Sequence, residues 1–135
     1  MADLFSFELV SPERLLLSKD ASMVVIPGAE GDFGVLVGHT PLISALRPGV
    51  IDVYVGDTVD ERIFVAGGFA EVTGARCTVL AEEAVPIDEI NQMTAQARSS
   101  AALEAIDNAT NAAALTQAEA ELAVAEAMVS AAKTI

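Results

Sequence analysis

All nine glycines and all five prolines of this 135-residue chain precede Ile87. Glycine and proline punctuate turns and strand ends, and both are poor residues for a helix interior. A chain that places every one of them before residue 87 and none after it joins two kinds of structure end to end. Alanine dominates the second part, which favours uninterrupted helix. The composition therefore predicts a β-rich domain over residues 1–84 and a helical segment over residues 85–135.

Within the first part, residues 4–10 alternate, with Phe5, Phe7 and Leu9 on one face and Ser6 and Glu8 on the other. That period of two is a half-buried strand. Further short strands are predicted over residues 14–17, 22–26, 33–37, 49–55, 62–66, 69–73 and 77–80. Turn residues such as Ser11-Pro12, Pro27-Gly28 and Gly56-Asp57 separate them. Even spacing of short strands indicates an antiparallel sandwich or barrel. Gly67-Gly68 interrupts one run, which marks a bulge or a close backbone approach.

In the second part, Asp88 is placed to cap a helix over about residues 89–106, whose inner stripe would be Ile90, Met93, Ala97 and Ala101. Asp107-Asn108 and Thr110-Asn111 break the pattern. Thr116 and Glu119 form a capping box for a second helix. Leu115, Leu122 and Val129 recur every seven residues, with Ala118, Ala125 and Ala132 between them. The arrangement predicts an antiparallel two-helix hairpin with a narrow, alanine-lined seam. Alanine buries little area, so the hairpin is expected to be marginal by itself.

The most specified stretch is GAEGDFGVLVGHTPLISALRPG, residues 28–49. It holds four closely spaced glycines, the chain's one histidine and two X-Pro corners. Rigidly held loops are where binding surfaces concentrate. The glycines do not make a phosphate loop: no Lys-Ser/Thr follows, and Gly34 leads into a strand rather than a helix. Glu30 and Asp32 lack the neighbouring His or Cys that a metal site needs, so no metal or cofactor is expected. His39 as a hydrolase base would need Ser44 or Cys77 nearby. A free-standing sandwich that binds a ligand is the alternative, and a carrier domain would need an exposed lysine or serine at a hairpin tip, for which Lys19 is the lysine candidate.

The net charge of -13 disfavours nucleic acid and anionic lipid and points to a basic protein surface. One cysteine, Cys77, excludes an internal disulfide and reads as a small buried hydrophobe. The first residues, MADLFSFELV, carry neither a basic start with a long apolar run nor the arginines of a transit peptide. No run of about 18 apolar residues is present to span a membrane.

The segment EGDFGVLVGHTPLISALRPG, with FELVSPERLLLS before it and AGGFAEV and CTVLAEEA after it, resembles the epsilon subunit of bacterial F-type ATP synthases. The resemblance covers most of residues 1–84. It implies a β-sandwich followed by two helices in the central rotor stalk, non-catalytic, peripheral to the bacterial inner membrane on its cytoplasmic side. It implies that Glu30, Gly31 and Asp32 dock on the c-ring and that Ser11, His39, Thr40 and Leu42 face the gamma subunit. The C-terminal helices would be a possible partner of the beta subunit.

Two departures bear on regulation. Ile87 and Asp88 match the start of the family's ATP-binding pattern, (I/L)-D-x-x-R-A, but Asn91 and Gln92 stand where its arginine and alanine belong. A lost guanidinium removes the charged donors a triphosphate needs. From residue 85 onward seven carboxylates face only Arg98 and Lys133, a net of -5. Inhibitory relatives insert basic helices beside an acidic segment, so inhibition of hydrolysis by this hairpin is expected to be weak. Isothermal calorimetry with ATP is expected to give no micromolar affinity, and a micromolar Kd would overturn the reading of Asn91.

Overall fold

The computed structural model describes residues 3–133. Ten strands are present: β1 Phe5–Val10, β2 Leu15–Ala21, β3 Met23–Gly28, β4 Gly31–Val35, β5 Leu42–Leu46, β6 Gly49–Val55, β7 Thr58–Val65, β8 Gly68–Val72, β9 Arg76–Ala81 and β10 Ala84–Pro86. A 3₁₀ turn, Ile87–Glu89, leads to helices α1 Gln92–Asn108 and α2 Ala112–Ala132. The chain divides into two compact units, Met1–Pro86 and Ile87–Ile135.

The strands form one sheet in the order β10-β7-β6-β3-β5-β8-β9-β1-β2, with β4 paired to β3. It folds over at the single pairing of Gly28 with Leu46, which joins β3 to β5. Two layers result, and their inner faces share one core. Phe5, Phe7 and Leu9 of β1 enter it as the alternation predicts. Cys77 and Val79 of β9 and Ala70 and Val72 of β8 complete that layer, facing Val24, Ile26, Ile51, Val53, Ile63 and Val65 of the other. Each large apolar side chain so buried contributes about 1.5–3 kcal/mol. The pairings are antiparallel except β1 with β9, which is parallel.

Several strands differ from their predicted limits. The fourth begins at Gly31 instead of Phe33, and the seventh reaches back to Thr58. Strands β5 and β10 were not expected. LISAL lies between Pro41 and Pro48 and carries only a weak alternation, so its pairing with β8 outweighs its local preference. Gly68 shows why two glycines interrupt the run. Its φ is +131°, and a Cβ there would lie 1.9 Å from the Leu80 carbonyl oxygen.

Both helix starts also differ. Residues 87–89 make only a 3₁₀ turn, and Asn91, not Asp88, caps α1: its side-chain oxygen accepts the Thr94 N–H at 3.0 Å. Asn111 caps α2 in the same way, accepting the Ala114 N–H at 2.8 Å, so Thr116 and Glu119 lie inside the helix. Both asparagines hold extended backbone angles, as a cap residue does. The buried residues of α1 are Ala95 and Ala102; of the expected stripe Ala97 and Ala101 are exposed, and Met93 is 83% exposed. In α2 the predicted Ala118 and Ala125 are buried, joined by Met128 and Ala131. The helices pack on each other, and the Arg98 guanidinium donates to Glu121 through Nε at 3.1 Å and Nη2 at 2.7 Å.

The two glycine environments give a test of the fold. Gly68→Ala is expected to cost more than about 3 kcal/mol by urea unfolding, since backbone must move to admit the methyl. Gly34→Ala, where the nearest atom is the Met23 sulfur at 3.8 Å, is expected to fall within about 1 kcal/mol of the parent.

Candidate functional site

The loop between β3 and β4 is built to a single shape. Gly28 pairs with Gly31 across its base. A Cβ on Gly28 would meet the Gly31 carbonyl oxygen at 2.7 Å and the Phe33 ring at 2.9 Å, so only hydrogen fits. Ala29 donates its N–H to the Ala45 carbonyl at 2.9 Å, and Arg47 donates its own to Pro27 at 3.1 Å. The Arg47 guanidinium then reaches across the base, Nη1 donating to the Gly28 carbonyl and Nη2 to Asp32 Oδ1. Glu30 at the tip is exposed, and among the described residues nothing pairs with it. A shallow groove lined by residues 28–33 and 42–45 sets Leu42 beside Glu30, Gly31 and Asp32.

His39 belongs to the connection from β4 to β5. Its N–H donates to the Leu36 carbonyl at 3.1 Å, and the Gly38 N–H donates to Gly74 at 2.8 Å. Ring Nδ1 lies 2.7 Å from the Thr40 carbonyl oxygen. A carbonyl only accepts, so Nδ1 is the donor in this contact. Ser44 Oγ donates to the neighbouring Ala45 carbonyl, and Cys77 is buried. Neither forms a nucleophile–base pair with His39. Among the described residues no group of three or more His, Cys, Asp or Glu could hold a metal. Lys19 lies within β2 and pairs with Asp60, so it is not a hairpin-tip attachment point.

Ser11 sits apart from the other predicted contact residues. Its hydroxyl donates to the Arg14 carbonyl at 3.3 Å in the β1–β2 turn. Leu42 shares a row with Val72, Cys77 and Phe7, and Ser11 lies four residues beyond Phe7. That is about 13 Å at roughly 3.3 Å per residue. His39, Thr40 and Leu42 thus lie at one end of the β5-β8-β9-β1 layer and Ser11 at the other.

Between them runs a surface that the strand patterns did not single out. Ala45, Phe69, Leu80, Val10 and Leu15 occupy one cross-strand row on the outer face. Phe69 is 56% exposed, Leu80 55% and Leu15 53%, and Ile43 beside the row is 71% exposed. The signal was present in GGFAEV and CTVLA: if Ala70, Val72, Cys77 and Val79 point inward, Phe69 and Leu80 point out. The row itself needs the pairing register, which spacing alone does not supply.

At the ATP-binding pattern, Asp88 and Glu89 are exposed on the 3₁₀ turn, and Ile87 is half-buried. The Asn91 side-chain oxygen is occupied in capping α1. Nothing there presents a charged donor to a phosphate.

The fold is a β-sandwich that carries a shaped acidic loop, with Glu30 unpaired among the described residues, and an exposed apolar sheet face. Residues 4–87 match the family described as the ATP synthase, Delta/Epsilon chain, beta-sandwich domain. The chain is 53% identical to the ATP synthase epsilon chain of Paramagnetospirillum magneticum over 131 residues, covering 97% of this chain and 98% of that one. It is 51% identical to that of Rhodospirillum rubrum over 133 residues, covering 98% and 99%. Among solved structures, a chain of the Euglena gracilis mitochondrial ATP synthase aligns with a TM-score of 0.81 at 25% identity, covering 95% of this chain and 81% of that one. A chain of the Tetrahymena thermophila mitochondrial ATP synthase central stalk and c-ring shares the fold, with a TM-score of 0.69 at 13% identity, covering 97% and 98%. The protein belongs to the ATP synthase delta/epsilon chain family.

Burial pushes the Cys77 thiol up from 9.0 to about 12. A pKa raised on folding contributes stability that is complete below pH 9 and lost as pH rises towards 12. Chemical unfolding across that range is expected to show this loss in the parent and a smaller one in Cys77→Ala. At neutral pH the native thiol is expected to resist aromatic disulfide reagents until urea unfolds the sandwich.

Proposed function

We propose that this chain is a non-catalytic subunit of the central rotor stalk of a proton-translocating F-type ATP synthase, peripheral to the cytoplasmic side of a bacterial inner membrane. The sandwich would join the gamma subunit to the c-ring. The observation that carries the reading is the pairing of an exposed apolar sheet face with a stapled acidic loop on one rigid sandwich. Torque transfer needs stiff contacts in two directions, and neither feature needs chemistry of its own.

In this reading Glu30, Gly31 and Asp32 meet the polar loops of the c-ring. Ser11, His39, Thr40 and Leu42 border the gamma contact, and Phe69 and Leu80 fill its centre. Phe69, Leu80 and Leu15 leave an apolar row exposed on the outer face, which a partner covering that face would bury. Buried aromatic residues at the centre of a contact carry most of its free energy. The helical hairpin regulates ATP hydrolysis weakly, because its net charge of -5 opposes an acidic partner on the beta subunit.

A catalytic assembly lacking this subunit provides the test. Added back, both the full chain and residues 1–86 are expected to co-elute with gamma and to give hydrolysis rates within about twofold of each other. Marked slowing by the full chain alone would overturn the charge argument on the hairpin. Phe69→Ser with Leu80→Ser is expected to weaken gamma binding at least about tenfold, from about 1.4 kcal/mol or more. Unchanged co-elution would remove the outer face from the gamma contact.

A further inference from the structure

We propose that Glu71 is the specificity residue of the exposed sheet face, and that it selects a partner bringing a lysine or arginine side chain to the apolar row beside it. This rests on the reading above that the gamma subunit covers the outer face of the β5-β8-β9-β1 layer. The row next to the apolar one runs Ile43, Glu71, Thr78, Glu8 and Ser18 across the strands. Ile43 lies directly opposite Glu71 on β5, and Thr78 directly opposite on β9. Phe69 is two residues back on β8, and Ala45 and Leu80 are diagonal neighbours, all within about 8 Å. Glu71 is thus an exposed carboxylate set among four exposed apolar side chains, with no ion pair among the described residues. Glu8, farther along the row, lies 3.8 Å from the Arg76 guanidinium.

A partner that covers Phe69 and Leu80 must also cover Glu71, which stands one side chain away. Under a neutral apolar surface the carboxylate would lose its water and gain no partner, at a cost that opposes the apolar contact. Under a surface with a Lys or Arg at that point it gains a charge-assisted hydrogen bond shielded from water. The same charge therefore rejects neutral apolar surfaces and admits a basic one. A second copy of this face meets the same obstacle, because neither row holds a lysine or arginine. The net charge of -13 points to a basic partner surface without saying where it sits, and the strand register gives it a place.

Charge and apolar area predict opposite signs for one substitution. Glu71→Leu extends the apolar patch, so it would tighten binding to a neutral apolar partner and weaken binding to one whose cation it leaves unpaired. Titration measures the affinity of the full chain for a catalytic assembly lacking this subunit, at about 0.15 M salt. Glu71→Gln, which keeps the shape and loses the charge, is expected to weaken binding about tenfold or more. Glu71→Leu is expected to weaken it at least as much. Asp57 in the β6–β7 turn is exposed and outside these rows, and Asp57→Asn is expected to change binding by less than about twofold. Urea midpoints close to the parent's are expected for all three, so that lost binding is not lost fold. Tighter binding by Glu71→Leu, or equal losses in Glu71→Gln and Asp57→Asn, would overturn the inference. Unchanged binding in Glu71→Gln would overturn it too, and Phe69→Ser with Leu80→Ser then locates the fault. Lost binding in that double variant leaves the gamma contact standing without a role for Glu71. Unchanged binding there as well removes the outer face from the gamma contact.

Discussion

The two-layer core dictates the rest of the molecule, because its demand is met at every second residue. Phe7, Cys77, Val79, Ala70 and Val72 must point inward together, and a slip of one residue in any strand would turn the whole set outward. Gly68 reinforces this register by steric means: only a residue without Cβ can lie so close to the Leu80 carbonyl. Once the inner set is fixed, the outer set follows without further choice. Phe69, Leu80, Val10 and Ala45 align in a row because the core aligned their neighbours. The apolar outer face is thus a geometric consequence of the core's register, kept apolar by the residues that occupy it.

The acidic loop obeys a different constraint. It buries almost nothing, so apolar packing cannot hold it, and its shape comes from backbone bonds, two special glycines and one guanidinium. Short β-hairpin loops on a stiff sheet are good carriers of contact residues for this reason. The loop's base shares the corner with Gly28–Leu46, where the sheet folds from one layer to the other. A force applied at Glu30 is therefore delivered at the fold of the sandwich, into both layers, and not into a flexible edge. That placement suits a wedge between two partners.

Much of this was legible in the residues. The strands with clear alternation, the buried Cys77 and the tight Gly67-Gly68 step all followed from local patterns. What was not legible required long-range information. LISAL looks like part of a loop because its prolines dominate locally, and only β8 makes it a strand. Asp88 looks like the cap, but the cap is Asn91, whose extended backbone lets its side chain meet the Thr94 N–H. Thr116 and Glu119 form a sound capping box that Asn111 pre-empts one turn earlier. The site shows the same limit. The glycine spacing marked the loop, but Arg47, fifteen residues on from Asp32, could be joined to it only by the fold.

The hairpin is where the physical argument differs most from that of the sandwich. Its buried residues are Ala95, Ala102, Ala118, Ala125 and Ala131, with Met128 the largest. Each alanine buries about one methyl group, against the several of a Phe or Ile in the sandwich core. Strong helix propensity and two asparagine caps compensate locally, each cap contributing about 1 kcal/mol. Those terms stabilise each helix as a helix, whichever surface it rests on. Side-chain packing, the term that would fix one arrangement of the pair, is the small one. Arg98 and Glu121 add an exposed ion pair of modest worth. The sandwich core, filled at every second residue by larger side chains, carries the larger packing term of the two units.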